Sequence, residues 1–206
     1  TKYYQYCINQ KFQDQRVFSN YGVILKDLGK LKEAELYTRK AIKLNPNFAI
    51  AYANLGNILK GLGKLKEAEI STRKAVELNA NFADANYSLG NILKSLGKLK
   101  QAEDSYHKAI ELNPNLSLAF YSLSTLKLSN KKTIWRDQLF SKNLLNNKLE
   151  KDQVNIYFAR ANILHKESNY KESSKYLQLA NNLKHKLNPF NVEYLLNKSK
   201  KLLFES

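Results

Sequence analysis

Apolar residues along the first two thirds of the chain fall into paired blocks at helical spacing. In one stretch the first block is Tyr52, Leu55, Leu59 and Leu62, and the second is Leu65, Ala68, Ala75 and Leu78. Offsets of three, four and seven place each block on one face of a helix, so the stretch predicts two amphipathic helices joined by a short turn. The pattern then repeats every 34 residues. Residues 17–50 read VFSNYGVILKDLGKLKEAELYTRKAIKLNPNFAI, residues 51–84 read AYANLGNILKGLGKLKEAEISTRKAVELNANFAD, and residues 85–118 read ANYSLGNILKSLGKLKQAEDSYHKAIELNPNLSL. A fixed period of this length predicts a stack of helical hairpins. Gly29, Gly63 and Gly97 stand between the two blocks of each unit, where a helix end requires a left-handed residue. Asn45-Pro46 and Asn113-Pro114 close the second block, because proline cannot continue a helix interior, whereas Asn79-Ala80 lacks that stop.

These residues resemble the tetratricopeptide repeat (TPR) family, whose units carry an aromatic, Leu-Gly, a large residue, Ala, an aromatic, Ala and Pro. Tyr52, Leu55, Gly56, Leu59, Ala68, Thr72, Ala75 and Ala80 take those places in the middle unit. Asn86, Leu89, Gly90, Leu93, Ala102, Tyr106, Ala109 and Pro114 take them in the next, with Asn86 the departure. Phe18, Tyr21, Gly22, Leu25, Ala34, Thr38, Ala41 and Pro46 take them in the first. The resemblance implies an all-α fold, a right-handed α-solenoid of stacked antiparallel helix pairs in which the small residues allow close helix approach. Residues 15–48, 49–82 and 83–116 are the well-matched units of a single array spanning 1–206. In phase with them, residues 1–14 form the second helix of a truncated repeat. Residues 117–153 read as a degenerate unit that loses the glycine turn, and 154–187 as a divergent one carrying Tyr157, Ala161, Leu164, Tyr170, Ser173, Leu177 and Ala180. Asn188-Pro189 then opens residues 188–206, which resemble a TPR capping helix with Phe190, Tyr194, Leu195, Leu202 and Leu203 on its apolar side. The start at Thr1 and the lack of methionine mark the sequence as a fragment of a larger protein.

Composition narrows the chemistry. Lys and Arg number 34 against 18 Asp and Glu, a formal charge of +16, which attracts acidic partners or nucleic acid but also follows from solvated lysines on outer helix faces. A lone cysteine, Cys7, excludes an internal disulfide; it falls at a small buried position of the repeat, and its reduced state favours the cytoplasm. No apolar run is long enough to span a bilayer, so no membrane insertion is expected. Six of the seven glycines belong to the repeat pattern, leaving Gly61 and no phosphate-cradling loop. His107, His165 and His185 lack metal-ligand spacing, and Trp135 reads as core. Glu33, Glu35, Glu67 and Glu69 recur near the start of the second helices, where they suit the helix dipole. Neither an active site nor a cofactor nor a metal is expected.

A binding surface is legible instead. The TPR resemblance implies that first helices line a concave groove. Asn54, Asn57 and Lys60 succeed one another at i, i+3 on one face, as do Ser88, Asn91 and Lys94. Asn20 and Lys26 take the matching places in the first unit, and Asn162 and His165 in the last. Asparagine amides can donate to and accept from a peptide main chain without reading side chains. Such ladders also line the similar array of O-linked N-acetylglucosamine transferase. The recurrent lysines would favour an acidic segment or a C-terminal carboxylate. A chaperone-type carboxylate clamp is disfavoured, because Ser19, Asp84 and Ser88 stand where it needs cations. Lys30, Lys64 and Lys98 of the GKLK turns form a second basic edge, open to an acidic partner domain or simply solvated.

The expected function is therefore a protein-interaction scaffold holding an extended peptide or a partner domain. Its wording, with GKLKEAE units followed by IWRDQLFSKNLL, also resembles bacterial proteins in which a TPR array precedes a sulfotransferase domain, which implies recruitment of an acceptor for catalysis elsewhere in the protein. Nucleic-acid binding by helical repeats is the alternative that the charge raises. Asn, Ser and Lys dominate the groove positions apart from Tyr87, Tyr121 and Phe158, which leaves few aromatics for base stacking.

Overall fold

The computed structural model describes Tyr4 and residues 13–126 and 134–188. The described residues contain no strand; they form helices α1 (Gln15–Asp27), α2 (Leu31–Leu44), α3 (Ala49–Gly61), α4 (Leu65–Leu78), α5 (Ala83–Ser95), α6 (Leu99–Leu112), α7 (Ser117–Ser124), α8 (Ile134–Phe140), α9 (Glu150–Lys166) and α10 (Tyr170–Leu187), with a 3-10 turn at Lys142–Leu145. Two compact units divide the chain, residues 1–135 and 136–206.

In the first unit α1 pairs with α2, α3 with α4 and α5 with α6, and each hairpin packs on the next through α2–α3, α4–α5 and α6–α7 contacts. This is the stacking of an α-solenoid. Every turn inside a hairpin is built alike. At the end of α3, the Lys64 N–H donates to the Leu59 carbonyl at 2.9 Å and the Gly63 N–H to the Lys60 carbonyl at 3.0 Å. Those bonds require Gly63 at φ 75°, the left-handed region that a Cβ disfavours. Gly29 and Gly97 repeat the arrangement. Between hairpins the stop is the asparagine rather than the proline. The Asn45, Asn79 and Asn113 side chains accept from the backbone N–H two residues on, at 3.0, 3.1 and 2.9 Å. The helix before Asn79 accordingly ends at Leu78 although Ala80 replaces proline.

Small residues sit where helices touch: Ala34, Ala68 and Ala102 are wholly buried. Larger ones bridge hairpins, as when Ile58 joins Tyr21, Leu25 and Ala34, and Ile92 joins Leu55, Leu59 and Ala68. Each such isoleucine contributes about 1.5–3 kcal/mol of burial. Gly90 makes room for Tyr106, since a Cβ there would lie 2.5 Å from the tyrosine ring. Trp135, 8% exposed, faces His107 edge-on at 6.1 Å, consistent with the core placement expected of it.

In the second unit α9 packs along α10. Arg160, 5% exposed, replaces apolar filling there: its guanidinium donates to the Leu139 and Ser141 carbonyls at 2.8 and 3.0 Å and lies over the Phe140 and Tyr176 rings. The α9–α10 turn has the hydrogen bonds of the glycine turns, with Asn169 N–H donating to the Leu164 carbonyl at 2.9 Å, yet Ser168 occupies the left-handed position at φ 60°.

The expected half-repeat at 1–14 is described at Tyr4, which stacks on Tyr21 with centroids 6.4 Å apart, and at residues 13–14; Cys7 lies outside the described residues. The expected capping helix, with Phe190, Tyr194, Leu195, Leu202 and Leu203, also lies outside them. No helix among the described residues is long and apolar enough to cross a membrane.

The turns predict a pair of opposite stability changes. Nothing lies within 4 Å of a Cβ built on Gly63, so Gly63→Ala meets conformational strain alone; it lowers unfolding free energy by about 1–2 kcal/mol in chemical denaturation, and Ser168→Gly raises it by up to about 1 kcal/mol. Unchanged midpoints for both would contradict the left-handed turn.

Candidate functional site

Of the first helices, α3 neighbours both α1 and α5, and each is also the partner of its own second helix. Their register places equivalent side chains one repeat apart. Asn54 on α3 donates through Nδ2 to the Ser19 hydroxyl on α1 at 3.0 Å. Lys94 in the last turn of α5 donates to Thr125 Oγ1, just past α7, at 2.8 Å. Lys60 ends α3 at the place Lys94 takes on α5, and the two ammonium groups are close enough to repel. Desolvation first, and then Lys94, hold the Lys60 pKa below the usual lysine range. Lys26, the equivalent on α1, instead pairs with Asp27 at 2.9 Å.

The expected ladder residues thus differ in what they have left to offer. Asn57 and Lys60, one turn apart on α3, are half-buried and make no hydrogen bond or ion pair with other described residues. Asn20 is exposed. Asn91 is already engaged, its Oδ1 accepting from the Tyr106 hydroxyl at 2.8 Å. Burial pushes the Tyr106 pKa up to about 12, with Tyr87 adding to the effect, so this hydroxyl remains a donor throughout the neutral range. Ser88 is 8% exposed and presents little surface to a ligand. Asn162 and His165 belong to the second unit, where His165 is exposed and meets Tyr170 edge-on at 5.2 Å.

The second basic edge has a structural use. Lys64 and Lys98 reach back to the preceding repeat, donating to Glu35 at 3.0 Å and Glu69 at 2.7 Å. Each carboxylate also accepts from the arginine four residues on, Arg39 at 2.9 Å and Arg73 at 3.0 and 2.9 Å. Arg39 and Arg73 extend in turn to Glu67 and Gln101 of the following repeat. Lys30 pairs with Glu33 of its own turn at 3.5 Å. Burial opposes ionisation of Glu35, but the Lys64 and Arg39 bonds outweigh it and keep its carboxyl below the ordinary range. For Glu69 the Lys98 bond dominates over burial, with Arg73 assisting. Glu35 and Glu69, read from sequence as dipole partners, are therefore ties between hairpins, while Glu33 and Glu67 stand in the first turns of their helices.

Ser19, Thr125, Tyr106 and these glutamate ties escaped the sequence reading. A helical wheel groups residues within one helix, while these pairs join residues 15 to 35 apart in the chain. Apart from the Tyr106–Asn91 pair, each joins side chains of successive repeats, at separations of 35 residues for Asn54–Ser19, 31 for Lys94–Thr125 and 29 for the lysine–glutamate ties. Among the described residues no group of three His, Cys, Asp or Glu is placed to hold a metal ion.

Tetratricopeptide repeat profiles match residues 15–48, 37–70 and 83–116. Residues 15–70 and 83–116 therefore carry tetratricopeptide repeats. Three solved structures illustrate the similarity. YrrB, described as a TPR protein with an unusual peptide-binding site, has 22% identity and a TM-score of 0.58, covering 95% of this chain and 97% of that one. MamA has 20% identity and a TM-score of 0.54, covering 91% and 88%. The first TPR domain of Spaghetti (RPAP3), bound to the HSP90 peptide SRMEEVD, has 28% identity and a TM-score of 0.52, covering 54% and 88%. No curated protein matches the chain at a significant level.

The inter-repeat ties carry a pH dependence. Because the folded carboxyl pKa values lie below their unfolded ones, the stabilisation is present above the unfolded value, about 4.3, and is lost as pH falls through the folded value. Glu69→Gln should cost about 1 kcal/mol at neutral pH and nothing measurable near pH 2 in urea denaturation. An equal cost at both pH values would show that the charge is not what stabilises the stack.

Proposed function

We propose that this chain is a protein-interaction scaffold that holds an extended peptide, or an extended segment of a partner domain, against the α1, α3 and α5 face. The observation that carries the reading is the Asn57–Lys60 pair: a half-buried amide and a half-buried ammonium, one helical turn apart, with unused hydrogen-bonding capacity. Their polar atoms reach solvent, so a ligand can take the place of water there without breaking a bond within the hairpins. A peptide main chain offers the carbonyl and N–H that one asparagine amide can meet together. The TPR fold and the peptide-bound RPAP3 domain, 28% identical over about half of this chain, support the same assignment. Within it, Asn20, Asn54 and Asn57 supply main-chain contacts, Lys26, Lys60 and Lys94 supply charge, and Asn91, held by Tyr106, keeps its Nδ2 donor for a carbonyl. Ser88 contributes through its position more than its hydroxyl, and Asn162 and His165 would serve a separate contact of the second unit. The sulfotransferase-associated wording of the sequence supports a role in a larger protein, where the array recruits an acceptor for chemistry performed elsewhere.

A peptide array probed with the full chain tests this. Asn57→Ala is expected to weaken capture about five- to tenfold, the loss of one or two hydrogen bonds, with unchanged helicity by circular dichroism. Full retention of capture by Asn57→Ala would remove the groove assignment. Tight binding of single-stranded nucleic acid with a steep salt slope would favour the nucleic-acid reading instead.

A further inference from the structure

We infer that the α3–α5 part of this face selects an acidic extended segment carrying two carboxylate side chains about three residues apart, one received by Lys60 with Asn57 and the other by Lys94. The inference rests on the peptide-binding reading above and adds the chemistry of the partner.

Lysines in the last turn of a helix are favoured by the helix dipole, and this alone explains an exposed lysine there. It does not explain Lys60. That side chain is half-buried, faces a second ammonium from the next repeat, and among the described residues pairs with no carboxylate to offset either cost. Acids of these repeats pair with other cations: Asp27 with Lys26, Glu35 with Lys64 and Arg39, and Glu69 with Lys98 and Arg73. Asp84 lies in the first turn of α5, at the opposite end of that helix from Lys94. Lys94 has a neutral partner, Thr125, which leaves its charge intact. The result, among the described residues, is two neighbouring positive charges without a paired carboxylate, beside an amide with no hydrogen-bond partner.

A bound anion would reverse the sign of the interaction at both lysines, which is why charge rather than shape defines this part of the surface. The spacing follows from geometry. Packed helices stand roughly 8–10 Å apart, and a segment in the extended polyproline II form advances about 3.1 Å per residue with every third side chain on one face, so side chains reaching Lys60 and Lys94 are about three residues apart. A lone C-terminal carboxylate would satisfy one lysine and leave the other facing it. Nucleic acid is less suited, because Tyr87, the aromatic of α5, is packed against Tyr106 at 6.0 Å rather than free to stack on a base.

The test measures binding of the full chain to a library of short, C-terminally amidated peptides in which the spacing of two Asp residues, from adjacent to five apart, is the only variable. Peptides with Asp three apart are expected to bind about tenfold tighter than their Asn counterparts, with affinity falling as salt rises. Lys60→Gln/Lys94→Gln should erase that preference while the Asn peptides bind as before. Equal binding of Asp and Asn peptides, or an unchanged preference in the double variant, overturns the inference but leaves peptide binding in place. Preference for adjacent Asp overturns the spacing. Failure of every peptide to bind, or competition by oligothymidylate but not by free acidic peptide, removes the peptide reading and this inference with it. A free C-terminus rescuing an Asn peptide to full affinity would assign the pair to a terminal carboxylate and also overturn it.

Discussion

Burial between neighbouring hairpins is the interaction on which the rest of the first unit depends. A single hairpin here has too little apolar surface on its inner seam, much of it alanine, to hold two helices of 13 and 14 residues together. What completes the core is the side chain that crosses to the previous hairpin: Ile58 into the cluster around Leu25, and Ile92 into the cluster around Leu59. Those contacts form only when successive hairpins adopt one fixed offset. That offset in turn aligns α1, α3 and α5 and makes their outward side chains a single surface.

The charged ties act on the same offset from the other side of the helices. Glu35 and Glu69 stand on second helices and meet lysines from the turn of the following repeat, so each tie is satisfied only in the stacked register. Exposed ion pairs contribute little individually, but these carboxylates are largely buried and each takes bonds from two cations. Burial aligns hairpins broadly, whereas a buried carboxylate with two directed partners tolerates little slippage. Lysines that the sequence leaves open to outside partners are thereby drawn into holding the stack.

The same register separates engaged from available groups on the proposed binding face. Asn54 and Asn57 are adjacent in pattern and equivalent in chemistry, yet Asn54 donates to Ser19 while Asn57 has no hydrogen-bond partner among the described residues. Tyr106, in the place where the earlier units have threonine, reaches Asn91 and ties up an acceptor that the ladder would otherwise present. The face is therefore uneven, with its available polarity concentrated on the middle repeat.

The repeat length, the two helices per unit, the glycine turns and the TPR relationship were legible in the sequence because each is set by spacing within one helix or one turn. Residues three and four apart must share a helical face, and a left-handed turn must favour glycine, whatever the surroundings. Even so, the stop after α4 rests on Asn79 and needs no proline, and Ser168 adopts the left-handed turn without being glycine; here local hydrogen bonds override the residue preference. Tertiary structure alone decided that Glu35 and Glu69 bind lysines of the next hairpin, that Ser88 is buried, and that Lys60 sits beside Lys94. Each of these depends on the distance and rotation between hairpins, which packing of the whole unit sets and no period along the chain encodes.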